Sequence, residues 1–140
     1  MHLDQTLVDA ARELALRRWT NPKLDAGAAA MYTRTGRLLT STFAESPNCH
    51  ASLCHETGSI CEAHKLQEAV TATVCISRDD ADSPFVILPP CGICSERLAY
   101  WGQDVEVAVP RRDDPTKWEM KLLREVTPHY WNIWWTPPQP

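Results

Sequence analysis

Two short cysteine motifs restrict what this chain can fold into more than any other feature of the sequence. The first is C-H-E at residues 54–56, and the second is P-C-G-I-C at residues 90–94. Cys91 and Cys94 are three residues apart, a spacing that points both sulfur atoms to the same side when a helix begins there. Cys54 stands at the start of a second predicted helix. The two motifs therefore predict that three thiols meet between two helix N-termini.

Three thiols in such a place are typical of a zinc site. The positive ends of the helix dipoles and the free N–H groups there lower thiol pKa values and favour thiolates. Three protein ligands, Cys54, Cys91 and Cys94, leave the fourth tetrahedral position to water, which is the pattern of a catalytic zinc. Glu56 follows Cys54 closely, and its carboxylate is placed to take a proton from that water and pass it to a leaving group.

The remaining cysteines are weaker candidates for metal ligands. Cys61 lies two helical turns beyond Cys54, roughly 10 Å away by helical rise, and we interpret it as a core residue. Cys75 alternates within a predicted strand and is interpreted as a small buried hydrophobic residue. Cys49 lies in a loop, and its role stays open.

A structural zinc in a non-catalytic binding module is the alternative from another class of function. It requires a fourth protein ligand, for which Cys49, Cys61 or His50 would have to serve. Histidine ligands are possible in principle, but neither His50 nor His55 begins an H-x-E motif, so cysteine ligation is favoured.

The composition limits the remaining classes. A formal net charge of -4 over 140 residues disfavours a polynucleotide substrate, because proteins that bind phosphate backbones usually carry a basic patch. No apolar run reaches membrane-spanning length, and the N-terminus lacks the features of a signal peptide. We expect one domain, residues 1–140, in the cytoplasm.

Hydrophobic periodicity predicts a layered α/β domain. The predicted helices are 3–19, 56–69 and 92–100, and the predicted strands are 27–34, 37–43, 71–77, 85–88, 105–109 and 118–122. The run 85–88 is fully apolar and is expected in the middle of a sheet. The aromatic tail 130–135 is expected to pack on the domain or on a neighbouring subunit.

The two cysteine motifs, each opening a helix, match the all-cysteine form of the zinc nucleobase deaminase signature. The chain thereby resembles the cytidine deaminase superfamily, and within it the small homotetrameric cytidine deaminases and the blasticidin S deaminases. Residues 26–30 and the turn 35–37 are similar to a hairpin of those enzymes, and residues 123–128 to a segment near their C-terminus. The resemblance implies a three-layer α/β sandwich whose mixed sheet of about five strands carries helices on both faces.

The resemblance also implies an activity. Cys54, Cys91 and Cys94 would bind one Zn²⁺ per chain, and Glu56 would carry protons in the hydrolytic deamination of a cytosine nucleoside to the uracil product and ammonia. A homotetramer acting on a small-molecule substrate is implied as well. The alternative within the superfamily is a blasticidin S-type deaminase, which acts on a modified cytosine nucleoside antibiotic. Polynucleotide editing is a third possibility, disfavoured by the acidic charge balance.

The substrate side departs from the family pattern. Glu45 stands where nucleoside-specific members place a glutamate that hydrogen-bonds the sugar. The sugar-binding asparagine of those enzymes is Phe43 here, and an aromatic ring at this position either stacks on a ligand or fills space. His55 replaces the usual small residue between cysteine and glutamate.

One further departure concerns charge. Thr57 stands where many cytidine deaminases have an arginine that offsets the charge of three thiolates. Arg97, on the opposite predicted helix, is the candidate substitute.

Overall fold

A mixed six-stranded sheet forms the middle layer of the fold, and helices cover both of its faces. The computed structural model describes residues 1–139. The helices are α1 Gln5–Arg18, α2 Thr57–Leu66, α3 Gly92–Leu98 and α4 Leu123–Val126. The strands are β1 Ala26–Thr33, β2 Leu38–Ser41, β3 Val70–Arg78, β4 Val86–Leu88, β5 Glu106–Pro110 and β6 Trp118–Leu122. The expected three-layer α/β fold is confirmed, and the sheet has the six strands that the periodicity predicted, one more than the resemblance implied.

The strands follow the order β2-β1-β3-β5-β6, with β4 also paired to β3. The pair of β3 with β5 is parallel, and the other pairs are antiparallel. The placement of residues 85–88 in the middle of the sheet is wrong. Within the described residues β4 pairs with β3 alone, and beyond it Ile87 donates its N–H to the Pro115 carbonyl. The run is apolar because Phe85 and Ile87 pack into the core that lies against α1.

Small residues on β1 allow close packing on both faces of the sheet. Ala28 and Ala30 point towards α1, which buries Leu7 and Ala11 against them. Gly27 lies on the other face, because successive residues of a strand alternate in direction. The small side chains therefore let α1 and the chain before α2 approach the central strands.

The opposite core joins the sheet to the two helices that follow the cysteine motifs. Met31 and Val107 from the sheet pack there with Ile60 of α2 and Leu98 of α3. This shared core holds the beginnings of α2 and α3 beside each other.

Two helices end earlier than the sequence indicated. Helix α2 stops at Leu66, because Gln67 takes a left-handed backbone conformation with φ of 55°. Helix α3 stops at Leu98, and a 3₁₀ turn at Ala99–Trp101 continues it. Such ends are set by local backbone geometry that hydrophobic periodicity does not report.

The aromatic tail packs in part on its own chain, along α3 and the 3₁₀ turn. The Trp131 indole N–H donates to the Glu96 carboxylate at 3.0 Å, and that of Trp135 donates to the Tyr100 carbonyl at 3.0 Å. Trp134, by contrast, is 82% exposed. No helix within residues 1–139 combines the length and hydrophobicity needed to cross a membrane.

Candidate active site

The three predicted cysteines meet at one point. The Sγ atoms of Cys54, Cys91 and Cys94 all lie within 4.8 Å of one another, and those of Cys54 and Cys91 are 3.7 Å apart. A tetrahedral zinc with Zn–S bonds of about 2.3 Å places its sulfur ligands about 3.8 Å from one another. The donor set and its spacing therefore fit a zinc ion.

The two helix starts bring these cysteines together. Pro89 and Pro90 follow β4, and Cys91 is the N-cap of α3, with an extended backbone at φ -67° and ψ 170°. Cys94 lies in the first turn of the same helix and is fully buried, whereas Cys91 is exposed. Cys54 comes shortly before α2, so each half of the site lies at a helix N-terminus, as predicted.

Glu56 lies directly against this cluster. It is the N-cap of α2, and it is only 5% exposed. The Cys94 thiol donates to Oε2 of Glu56 at 3.5 Å. The structure thus brings together all four residues that the sequence assigned to metal binding and proton transfer.

The thiol pKa values are set mainly by burial and by neighbouring anionic groups. Burial and the Glu56 carboxylate raise the pKa of Cys94, and burial and the hydrogen bond with Cys91 raise that of Cys54. Burial acts in the same direction on Cys91, but its hydrogen bond from the Cys94 backbone N–H helps to give a net lowering of its pKa. Holding three thiolates here requires positive charge, which a divalent cation supplies.

Arg97 reaches across from α3 to the start of α2. Its Nη1 donates to Oγ1 of Thr57 at 2.8 Å, and the bond is partly buried. The candidate substitute named from the sequence therefore does lie at the residue that follows Glu56.

Phe43 lies in an aromatic stack beside the site. Its ring stacks on Trp19 with a centroid distance of 4.0 Å and an interplanar angle of 4°. It also makes a T-shaped contact with His55, whose pKa is lowered by burial. Because Trp19 covers one face of Phe43, a ligand would have only the other face for stacking, and the substrate-binding role of Phe43 stays a prediction.

Glu45 lies apart from these contacts. Ala44 and Leu53 bridge the two ends of the loop through backbone hydrogen bonds of 3.2 and 2.9 Å, and Glu45 follows Ala44 with an exposed side chain. Its assignment to substrate binding stays a prediction.

The predictions for Cys61 and Cys75 have different outcomes. The core placement of Cys61 is wrong: α2 buries Ile60 and Ala63, and Cys61 lies on the exposed side of the helix. Cys75 is buried as predicted, and its Sγ also lies within 4.8 Å of a His55 ring nitrogen and a Glu56 carboxylate oxygen.

The structural-zinc alternative lacks its fourth ligand. Cys49, Cys61 and His50 do not join either group of metal-binding side chains found within residues 1–139. The geometry accordingly gives three protein ligands, as a catalytic site requires.

Sequence reasoning missed the residues that hold the C-H-E segment in place. Ser41 donates its hydroxyl to the His55 carbonyl at 2.6 Å and accepts the Ser59 backbone N–H at 3.0 Å. Trp19 lies in the predicted helix 3–19, and no sequence pattern placed it at the site. No spacing signal marks these residues, because their partners are distant in the chain.

Comparisons with known proteins agree with this arrangement. The sequence matches no family model, and no curated protein matches it. Among solved structures, the cytidine deaminase from Bacillus anthracis is 38% identical over 91% of this chain and 89% of that chain, with a TM-score of 0.83.

More distant structures share the fold. The cytidine deaminase from Mycobacterium leprae is 19% identical over 89% of this chain and 97% of that chain, with a TM-score of 0.69. The one from Mycobacterium tuberculosis is 21% identical over 94% of this chain and 100% of that chain, with a TM-score of 0.69. With the three-thiol cluster, the adjoining carboxylate and the 38% identity to the Bacillus structure, the chain belongs to the cytidine deaminase superfamily.

Proposed function

We propose that this protein is a zinc-dependent hydrolase that deaminates a cytosine nucleoside, such as cytidine or deoxycytidine, to the uracil nucleoside and ammonia. The contact between the Cys94 thiol and the buried Glu56 carboxylate carries the proposal, because it places a proton carrier against a zinc-binding donor set. The likeness to the Bacillus anthracis cytidine deaminase supports the same conclusion.

Each site residue has a defined task in this reaction. Cys54, Cys91 and Cys94 would hold the zinc, which in such a site acts as a Lewis acid and supplies an activated water. Glu56 accepts one proton of the attacking water and passes it to the ring nitrogen next to the reacting carbon. The second proton of the water goes by way of Glu56 to the departing amino group, so that ammonia leaves and the ring gains a carbonyl oxygen and an N–H. Burial of Glu56 keeps bulk water away from this transfer.

A deamination assay on the zinc-loaded protein tests the proposal. We expect loss of the cytidine absorbance together with release of one ammonia per uridine formed. Protein that holds one zinc per chain and converts neither cytidine nor deoxycytidine would contradict the proposed substrate.

A blasticidin S-type deaminase is a second candidate, favoured by one observation. Phe43 stands in place of the sugar-binding asparagine expected from the family resemblance, and its ring is stacked on Trp19. A substrate with an altered sugar does not require that asparagine. Parallel assays on cytidine and blasticidin S decide between the two: turnover of the antibiotic without turnover of cytidine supports this candidate, and the reverse removes it.

We also propose that the protein acts in the cytoplasm, where thiol ligands stay reduced.

We propose further that the chain forms a homo-oligomer, with the family tetramer as the expected state. On a single chain the site is exposed to solvent at Cys91 and at the neighbouring Ile93, which is 60% exposed. Trp134 adds a further exposed apolar surface. A neighbouring subunit would cover such surfaces. Light scattering on the eluting protein tests this; a monomer mass at assay concentration would contradict it.

A further inference from the structure

Five residues form a closed ring of contacts next to Glu56. The Trp19 indole N–H donates to Oγ1 of Thr42 at 2.7 Å, and the Thr42 hydroxyl donates to the Gly27 carbonyl at 2.6 Å. The His55 ring lies against Gly27 so closely that a Cβ there would be 2.3 Å from Nε2. The His55 ring contacts Phe43 at 5.1 Å, and Phe43 stacks back on Trp19 at 4.0 Å.

A residue outside this ring of contacts, Arg18, also contacts Trp19. The Arg18 guanidinium lies over the Trp19 ring, 4.1 Å from its centroid. Such a cation–π contact stabilises the indole in one orientation. The ring thus connects the end of α1 to the chain between β2 and α2.

His55 is held through both its backbone and its side chain. Its carbonyl accepts the Ser41 hydroxyl at 2.6 Å, while its ring is enclosed by Gly27 and Phe43. A ring nitrogen of His55 lies within 4.8 Å of both a Glu56 carboxylate oxygen and the Cys75 sulfur. The His55 side chain thus lies beside the Glu56 carboxylate.

We propose that His55 is a positioning residue for Glu56 and that Trp19, Thr42, Gly27 and Phe43 hold His55 in place. The inference rests on the proposed function, in which Glu56 carries the proton. His55 directly precedes Glu56, so a change in the backbone torsions of His55 moves the peptide that carries the carboxylate, and a fixed His55 side chain opposes such a change. Misplacing a catalytic group by about 1 Å can cost about 100-fold in rate, which makes such support consequential. In this arrangement Phe43 forms one side of the ring of contacts, whether or not a ligand contacts its other face.

Thr42→Val and Trp19→Phe both break hydrogen bonds of this ring of contacts. Thr42→Val keeps the side-chain volume, whereas Trp19→Phe makes the side chain smaller. Thr42→Val removes both hydrogen bonds of the hydroxyl, and Trp19→Phe removes the N–H while keeping an aromatic ring. Trp118→Phe is the matched control, because it removes an indole N–H that donates to Gln5 at the other end of α1. We expect kcat to fall about tenfold in the first two variants with KM changed less than about twofold, and no change in the control.

Metal binding and rescue separate positioning from general structural support. The cobalt-loaded variants should keep the thiolate absorption bands of the wild type, and Thr42→Ser, which keeps the hydroxyl, should retain the kcat that Thr42→Val loses. Unchanged kcat in the ring variants would overturn the proposal. A loss of kcat that always accompanies loss of metal would also overturn it, because the ring would then support the cysteines.

A measurement independent of activity reports on the ring itself. Cys75 is 5% exposed and lies beside His55 and Glu56. In the zinc-loaded protein, a small alkylating reagent followed by peptide mass spectrometry should label Cys75 faster in Thr42→Val than in the wild type or in Trp118→Phe. Equal labelling rates of Cys75 in these proteins would contradict the proposal that the ring of contacts holds His55 in place. A wild type without deaminase activity would overturn the proposed function. Cys75 labelling that is faster in Thr42→Val than in that wild type would still support the ring of contacts around His55.

Discussion

The Cys94 sulfur lies 3.5 Å from a Glu56 carboxylate oxygen, so a residue of α3 touches the residue that begins α2. The two halves of the site come from parts of the chain separated by β3 and β4. Their contact depends on the shared core beneath both helices, where Ile60 packs with Leu98. The proposed metal binding and proton transfer therefore depend on the packed domain and not on either motif alone.

Glu56→Gln is expected to abolish turnover while the fold and the metal are kept. The amide has nearly the shape of the carboxylate but cannot accept the proton, and loss of general acid–base catalysis costs about 10²–10⁴-fold or more. The measurement is kcat on cytidine, with zinc content determined on the same sample. Glu62→Gln, an exposed change on α2, is the control. Substantial turnover by Glu56→Gln would contradict the assigned proton carrier.

Cys91→Ala is expected to lose metal and stability together. Two remaining thiols bind zinc weakly, and a ligand that binds only the native state stabilises it by mass action. Thermal unfolding should therefore occur at a lower temperature than in the wild type, and adding a chelator should remove most of the difference. Cys61→Ala should behave as the wild type, because Cys61 is exposed and lies outside the cluster.

Zinc affinity is expected to rise with pH around neutrality. Burial raises the pKa of the Cys54 and Cys94 thiols, so both carry protons at neutral pH until the metal displaces them. Each displaced proton makes the apparent affinity increase about tenfold per pH unit below the thiol pKa. Competition with a chromophoric chelator at several pH values measures the slope. Affinity that is independent of pH, after correction for the chelator, would mean that the thiols are already ionised.

Arg97→Met is expected to weaken zinc binding without unfolding the protein. It removes the hydrogen bond to Thr57, which links α3 to the start of α2, and it removes the positive charge that this bond holds at the residue after Glu56. We expect about a three- to tenfold weaker apparent affinity, the scale of support that residues outside the ligand set give to metal sites. Arg111→Met is the control, because Arg111 pairs with Asp113 in an exposed salt bridge. Equal affinities would show that Arg97 has no part in the site.

The sequence was most informative where function depends on short spacing. The three-residue separation of Cys91 and Cys94 and the position of Glu56 just after Cys54 predict side chains that share one turn, and the structure confirms that they converge. The prediction for Cys61 failed because the buried face of α2 is set by Ile60 and Ala63, and helical spacing from Cys54 alone does not show which face is buried.

Contacts between distant segments were beyond the sequence. The apolar run of β4 is typical of a central strand, yet burial against α1 explains it equally well. The stacking of Phe43 on Trp19 joins the end of α1 to the chain after β2, and neither residue carries a periodic or spacing signal for the other. Such contacts follow from the packing of the layers, which local patterns do not encode.

Two tryptophans near the C-terminus are hydrogen-bonded to α3 and to the turn that follows it, so their fluorescence reports on this part of the fold. Trp131 and Trp135 donate their indole N–H groups to Glu96 and to the Tyr100 carbonyl, on the helix that begins with two metal ligands and on the turn that continues it. Fraying of that helix would break both indole hydrogen bonds, and the emission of these two side chains would change. The chain thus carries natural fluorophores beside the helix of two proposed metal ligands, so that an effect of zinc on this helix can be followed without an added dye.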